Sequence, residues 1–160
     1  IRKDLLDHGP NGVVPNYLRY ATHAESQSLY NTPNTFGILV LKLVLEWMKD
    51  EGGVTALEKH NRDKAAKLYA TLDESSLYKP HAQTDSRSLM NVTWTLGGKD
   101  EAESEARTKA FISEAQAAGL DGLKGHRSVG GMRASIYNAM PQAGVDALVA
   151  FMRDFESRLG

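Results

Sequence analysis

The sequence predicts an α+β domain whose helices pack on one face of a small, mostly antiparallel sheet. Three observations predict it. Two stretches of helical apolar spacing follow one another in the first half, at 33–51 and 55–72. A run at 89–96 switches to strict alternation of apolar and polar residues, the mark of a half-buried strand. The chain then closes on another apolar stripe of helical period. The full order reads loop, helix, helix, strand, helix, strand, strand, helix. Stacking the helices on one side of the sheet is the economical way to bury all of their apolar faces.

Element by element, the start is the least regular. Ile1-Arg-Lys-Asp-Leu-Leu reads as the exit from a strand or the entry to a turn, which suggests a piece of a longer polypeptide. Residues 7–35 are rich in Gly, Pro, Asn, Ser and His, with Pro10, Gly12, Pro15 and Pro33 as punctuation, and predict a long irregular segment. Thr32-Pro33 predicts a helix N-cap followed by proline at the first helical position. The helix runs to Glu51 and stops at Gly52-Gly53. Ile38, Leu39, Leu41, Val44, Leu45 and Met48 surround most of it, so it is expected to be largely buried. Thr55 and Glu58 fit a capping box for a second helix, with Leu57, Ala65, Leu68 and Leu72 on its apolar face.

Met90, Val92, Trp94 and Leu96 alternate with Asn91, Thr93 and Thr95 in the first clear strand. Residues 100–118 return to helix, with Ala106, Phe111, Ile112 and Ala115 inward and Gly119 as the stop. Leu120 to Leu123 fits a short strand. Arg133 to Tyr137 alternates again, with Ala134 and Ile136 on one face. Pro141 opens the last helix, striped by Val145, Leu148, Val149, Met152 and Phe155. The expected division is an irregular segment at 1–35 and an α+β domain at 36–160.

Composition narrows the function. At 160 residues, 41% hydrophobic and 24% charged, the chain suits one globular unit. Nineteen Lys and Arg against 20 Asp and Glu leave a net charge of -1. That balance argues against a general binder of nucleic acid or anionic membrane. Cysteine is absent, which excludes disulfides, zinc–thiolate sites, iron–sulfur clusters and cysteine nucleophiles. The longest apolar stretch, Phe36 to Trp47, is broken by Lys42 and is shorter than the roughly 18 residues of a spanning helix. With no charged-then-apolar leader, the expected location is the cytoplasm. His8, His23, His60 and His81 lack the spacing of a metal site, so no metal is expected and these histidines read as surface or loop residues.

The densest polar cluster is Lys124-Gly-His-Arg-Ser-Val-Gly-Gly-Met-Arg133. Its glycines let a backbone approach a ligand, and its two arginines offer planar forks for carboxylate or phosphate. It is either a site for an anionic metabolite or a glycine-rich hairpin whose cations face water. A second candidate is Tyr30-Asn31-Thr32-Pro33-Asn34-Thr35 at a helix start. It reads first as plain capping and second as an anion site supported by free N–H groups. Asn91-Val-Thr93 matches a glycosylation sequon, read as incidental in its strand. No P-loop, dinucleotide fingerprint or nucleophile elbow occurs.

Tyr-Asn-Thr-Pro-Asn-Thr-Phe (30–36), Ser-Leu-Met-Asn-Val-Thr-Trp (88–94) and above all residues 122–141, Gly-Leu-Lys-Gly-His-Arg-Ser-Val-Gly-Gly-Met-Arg-Ala-Ser-Ile-Tyr-Asn-Ala-Met-Pro, closely resemble the phosphoserine aminotransferase family. The likeness runs through the chain in that family's order and near its spacing. It implies the C-terminal part of a class V, fold-type I enzyme, dependent on pyridoxal phosphate and homodimeric: the end of the large domain, then the small domain. The implied reaction exchanges an amino group between glutamate and 3-phosphooxypyruvate, giving O-phosphoserine and 2-oxoglutarate. In many bacteria a phosphorylated hydroxythreonine of pyridoxine synthesis is a second substrate. By the same resemblance, Asn31 and Thr32 match a pair that reaches across the dimer to the neighbouring subunit's cofactor phosphate. His126 and Arg127 match residues on the substrate phosphate, and Arg133 the arginine on the α-carboxylate. The family's Schiff-base lysine matches no lysine here, neither Lys3 nor Lys124. Nor is there a counterpart of the aspartate on the pyridine nitrogen or of the aromatic residue stacked on the ring. The chain alone is therefore expected to hold substrate-side groups without the catalytic centre. The rival reading is a stand-alone, non-catalytic module that binds phosphorylated amino or oxo acids or a protein partner.

Overall fold

The computed structural model describes residues 1–9, 12–127 and 130–159, so Pro10 of the loop punctuation and Ser128-Val129 of the glycine-rich cluster lie outside the described residues. Two compact units emerge, Ile1–Trp47 and Met48–Gly160.

The first unit holds α1 (Asp4–Asp7), a 3₁₀ turn (Asn16–Leu18), α2 (Tyr20–Glu25) and most of α3 (Thr35–Asp50). Where the sequence predicts only irregular chain, the structure has the 3₁₀ turn and α2. Elements of three and six residues are too short to express a period. His23, expected at the surface or in a loop, is wedged between aromatic rings. Its centroid lies 5.5 Å from that of Tyr17 and 5.8 Å from that of Tyr30, both edge-on. Its Nε2 also lies 2.6 Å from the Tyr17 carbonyl oxygen. These contacts tie the approach to Asn31 back onto α2. Gln27 and Ser28, at φ 49° and 65°, make the tight exit from α2 in the left-handed region.

The cap of α3 falls two residues later than expected. Asn34, not Thr32, is the N-cap: its Oδ1 accepts the Gly37 N–H at 3.0 Å. The Pro33 carbonyl accepts the Thr35 N–H at 2.8 Å. Asparagine outranks threonine at this position, and the structure selects it. Asn34→Ala is expected to cost about 1 kcal/mol of local helix stability. Faster amide hydrogen exchange at Gly37 and Ile38 would register it.

The expectation that α3 is largely buried is overturned. None of its residues is buried; Phe36 is 76% exposed and Ile38 58%. An apolar helix predicts burial only if something covers it, and the short elements of residues 1–47 offer little surface. Exposed apolar area of this extent drives association. The 160-residue chain is expected to self-associate with rising concentration, and a version cut back to 48–160 to stay monomeric, as sedimentation velocity would show.

The second unit contains α4 (Gly53–Glu74), β1 (Tyr78–Pro80), a 3₁₀ turn (Thr84–Ser86), β2 (Asn91–Leu96), α5 (Glu101–Ala117), β3 (Met132–Ser135) and α6 (Gln142–Leu159). The sheet is antiparallel, in the order β1-β2-β3. Leu57, Ala65, Leu68 and Leu72 of α4 and the whole α6 stripe are buried as the periodicity predicts. Phe111 of α5 anchors the core, with edge-on rings from Tyr78, Trp94, Phe151 and Phe155 at centroid distances of 5.1–6.3 Å.

Three local expectations fail here, and one strand goes unpredicted. The Thr55–Glu58 capping box does not form, because Gly52, at φ 93°, lets α4 begin earlier; Glu58 pairs with Arg62 at 2.7 Å. Ala106 is exposed. Leu120 to Leu123 is no strand; next to it a single bridge joins Lys124 to Met132. Three-residue β1 had no readable alternation. By contrast the start of α5 is closed twice: Asp100 Oδ1 caps it by accepting the Glu103 N–H at 2.8 Å, and Glu103 Oε2 accepts the N–H of Lys99, one residue before the cap, at 2.5 Å.

Three polar side chains of α4 are buried, Asn61, Lys64 and Thr71, and the first two reach across to another segment. Lys64, 2% exposed, donates from Nζ to the carbonyls of Ile136, Tyr137 and Met140 at 3.1, 2.7 and 2.9 Å. Asn61 Nδ2 donates to Asn138 Oδ1 at 2.7 Å. Together they fasten the β3–α6 connection to α4.

Candidate anion-binding site

β3 sets the site. Met132 and Ala134 face the core, so Arg133 and Ser135 project to the other side of the sheet. Arg133 lies opposite Thr93 and Ser135 opposite Asn91, which gives that face a polar patch. Arg133 is half-buried, and its Nε is buried with no hydrogen-bond partner among the described residues. A guanidinium in this state lacks an acceptor the protein does not supply, and a planar anion would supply it.

The arm before β3 carries the other cations. The Arg133 N–H donates to the Leu123 carbonyl at 2.8 Å, and the Gly125 N–H to that of Gly131 at 2.8 Å. The Gly130 N–H then donates to the His126 carbonyl at 2.8 Å. Gly125 and Gly131 are required by contact, and Gly131 by conformation as well. A Cβ on Gly131, at φ 64°, would sit 2.5 Å from the Trp94 carbonyl oxygen, and one on Gly125 would run into the Gly130 carbonyl. His126 and Arg127 are exposed on this arm, on the stretch that leads into β3. The structure thus brings Arg133, His126 and Arg127 onto one hairpin. Asn31 and Thr32 belong to the first unit, where both are exposed just ahead of the Asn34 cap. Capping accounts for Asn34 and leaves the Asn31 and Thr32 side chains outside the helix.

Sequence reasoning passed over Lys64, Asn61 and Asn91. The first two sit on the apolar stripe of α4, so a polar residue at helical spacing was the available signal. Asn91 reads in the sequence as a polar-face strand residue within an incidental sequon, with no binding role.

The model of the family described as aminotransferase class V matches residues 6–148. The chain belongs to the class V aminotransferases. Among curated class V relatives, it is 54% identical over 159 residues to the phosphoserine aminotransferase of Geobacillus kaustophilus, covering 99% of this chain and 42% of that protein. It is 51% identical to that of Nitrosomonas europaea, over 98% of this chain and 41% of the relative. Among solved structures, phosphoserine aminotransferase from Bacillus circulans subsp. alkalophilus superimposes with a TM-score of 0.87 at 42% identity, covering all of this chain and 43% of that one. The pyridoxal-phosphate-bound enzyme of Trichomonas vaginalis does so with 0.81 at 34% identity, covering 96% of this chain and 42% of that one. This class V chain therefore spans about two fifths of the length of the relatives it matches. No helix among its described residues is long and apolar enough to cross a membrane.

Proposed function

We propose that this chain is the substrate-side portion of a pyridoxal-phosphate-dependent phosphoserine aminotransferase, which moves an amino group between glutamate and 3-phosphooxypyruvate. The observation that carries it is Arg133: a half-buried guanidinium with an unpartnered Nε, at the base of an arm bearing His126 and Arg127. Substrates with a carboxylate and a second anionic group at the far end suit such a divided set of donors. Arg133 binds the α-carboxylate through its planar fork and so orients Cα. His126 and Arg127 bind the phosphate, and the distal carboxylate of glutamate in the other half-reaction. Residues 1–35 are assigned to the end of the large domain and 36–160 to the small domain, in a cytoplasmic homodimer.

The residues present fit one end of the cofactor. Asn31 and Thr32 offer an amide and a hydroxyl, the donor types that a phosphate accepts, and would hold the cofactor phosphate of the neighbouring subunit. Pyridoxal phosphate supplies the electron sink for breaking bonds at the substrate Cα. Its covalent lysine is not assigned within this chain. Lys64, the one buried lysine among the described residues, has all three donors engaged by carbonyls.

The test is amino-group transfer by the complete protein, supplied with pyridoxal phosphate, glutamate and 3-phosphooxypyruvate, beside the 160-residue chain alone. The complete protein is expected to produce O-phosphoserine, and the chain alone neither product nor a stoichiometric borohydride-trapped cofactor adduct. No transfer by the complete protein would overturn the reading in favour of a binding module.

A further inference from the structure

We propose that Asn91 is a second carboxylate-binding residue, which donates from Nδ2 to the same substrate carboxylate that Arg133 holds. The inference rests on the reading of Arg133 given above and extends it.

Asn91 and Arg133 share the non-core face of the sheet. Arg133 is opposite Thr93, and Asn91 lies two residues from Thr93 on the same strand. The Arg133 N–H donates away from β2, to Leu123, so Thr93 and Arg133 form the type of antiparallel pair without mutual hydrogen bonds. In such pairs side chains approach most closely, with Cα atoms about 4.5 Å apart. The diagonal from Asn91 to Arg133 is then about 7–8 Å, within reach of a long side chain or of a small ligand bridging the two.

The Asn91 amide turns its oxygen toward two hydroxyls of the neighbouring chain segment. Its Oδ1 accepts from Ser135 Oγ at 3.3 Å and from Tyr137 Oη at 3.2 Å. Both lone pairs of the amide oxygen are thereby used, and the NH₂ is left facing outward. That group has no partner among the described residues, and Asn91 is only half-buried, so it is open to a ligand. A carboxylate offers about four lone-pair sites, of which a guanidinium fork takes two. In a site closed to water the others need donors, and a neutral amide provides them without adding charge. Ser135 and Tyr137 act one step back, as positioning residues that turn the amide.

Three variants of the complete, cofactor-loaded enzyme test this: Asn91→Ala, the double variant Ser135→Ala/Tyr137→Phe, and Arg133→Ala as reference. For each, KM and kcat for glutamate, the Kd of 2-oxoglutarate by calorimetry, and the thermal midpoint are measured. Asn91→Ala is expected to raise KM and Kd about 10-fold, the usual effect of losing a hydrogen bond to a charged group. Its kcat and thermal midpoint are expected to stay close to the parent's. The double variant keeps the NH₂ donors but frees the amide, so a rise of roughly 3-fold is expected. Equal shifts in the two, accompanied by equal losses of thermal midpoint, would mean that Asn91 merely ties β2 to β3 and would overturn the proposal. A large effect of Arg133→Ala with none for Asn91→Ala would overturn this inference alone. No effect of Arg133→Ala on glutamate would overturn the reading of Arg133 and this inference with it.

Discussion

Arg133→Ala in the complete enzyme is expected to raise KM by at least about 100-fold for every amino-acid and oxo-acid substrate, glutamate included. All of them carry the α-carboxylate, and the fork proposed to grip it would be gone. A hydrogen bond to a charged partner contributes about 1.5–3 kcal/mol, and a two-pronged contact loses both prongs at once. Arg133→Lys is expected to recover little, because a point charge on a flexible stem cannot reproduce the planar fork. His126→Ala and Arg127→Ala should behave differently. Their losses are expected to fall hardest on the phosphorylated substrates, since the distal carboxylate of glutamate is smaller and carries less charge. The measurement is kcat/KM for both half-reactions in all four variants. Equal losses for phosphoserine and glutamate throughout would reduce the cluster to a diffuse positive field.

The other large effect is expected at Lys64, on the core side of the sheet. Lys64→Met keeps the length and removes the ammonium, stranding the Ile136 carbonyl in a buried position and those of Tyr137 and Met140 in partly buried ones. Each unsatisfied buried acceptor costs roughly 1–3 kcal/mol, so a loss of about 3 kcal/mol or more is expected. With urea m-values of about 1–3 kcal/mol/M, the midpoint should fall by at least about 1 M. Trp94, 1% exposed in the core, is a suitable fluorescence probe in the 48–160 unit, which excludes Trp47. A drop under roughly 0.3 M would show that water replaces the ammonium without penalty. The pH dependence has a definite sign. Burial lowers the Lys64 pKa below its ordinary 10.5, so the unfolded chain holds this proton more tightly. In the window just below 10.5 the unfolded state binds more protons, and this group's contribution to stability rises with pH. Lys64→Met should lack that rise.

Both residues show how much of the site could be read from the sequence. Arg133, His126 and Arg127 stand out in the sequence as cations among glycines, and the structure carries them on β3 and the arm leading into it. Lys64 does not stand out. On a helix projection it is a lysine beside an apolar stripe, and its meaning depends on three carbonyls more than seventy residues away. Asn91 was equally silent, since its orientation comes from hydroxyls on another strand.

The sequence by itself determined what rests on local periodicity: the apolar faces of α4 and α6, the inner residues of β2 and β3, and the stops at Gly52 and Gly119. These follow from the 3.6-residue and two-residue repeats, which bring side chains onto one face whatever lies opposite. Only the tertiary structure decided what needs a partner from elsewhere in the chain. It paired three-residue β1 with β2, moved the α3 cap to Asn34 and left the apolar surface of α3 uncovered. It also placed Asn91 beside Arg133. Burial, strand register and hydrogen-bond closure are properties of two surfaces meeting, and a linear pattern specifies only one of the two.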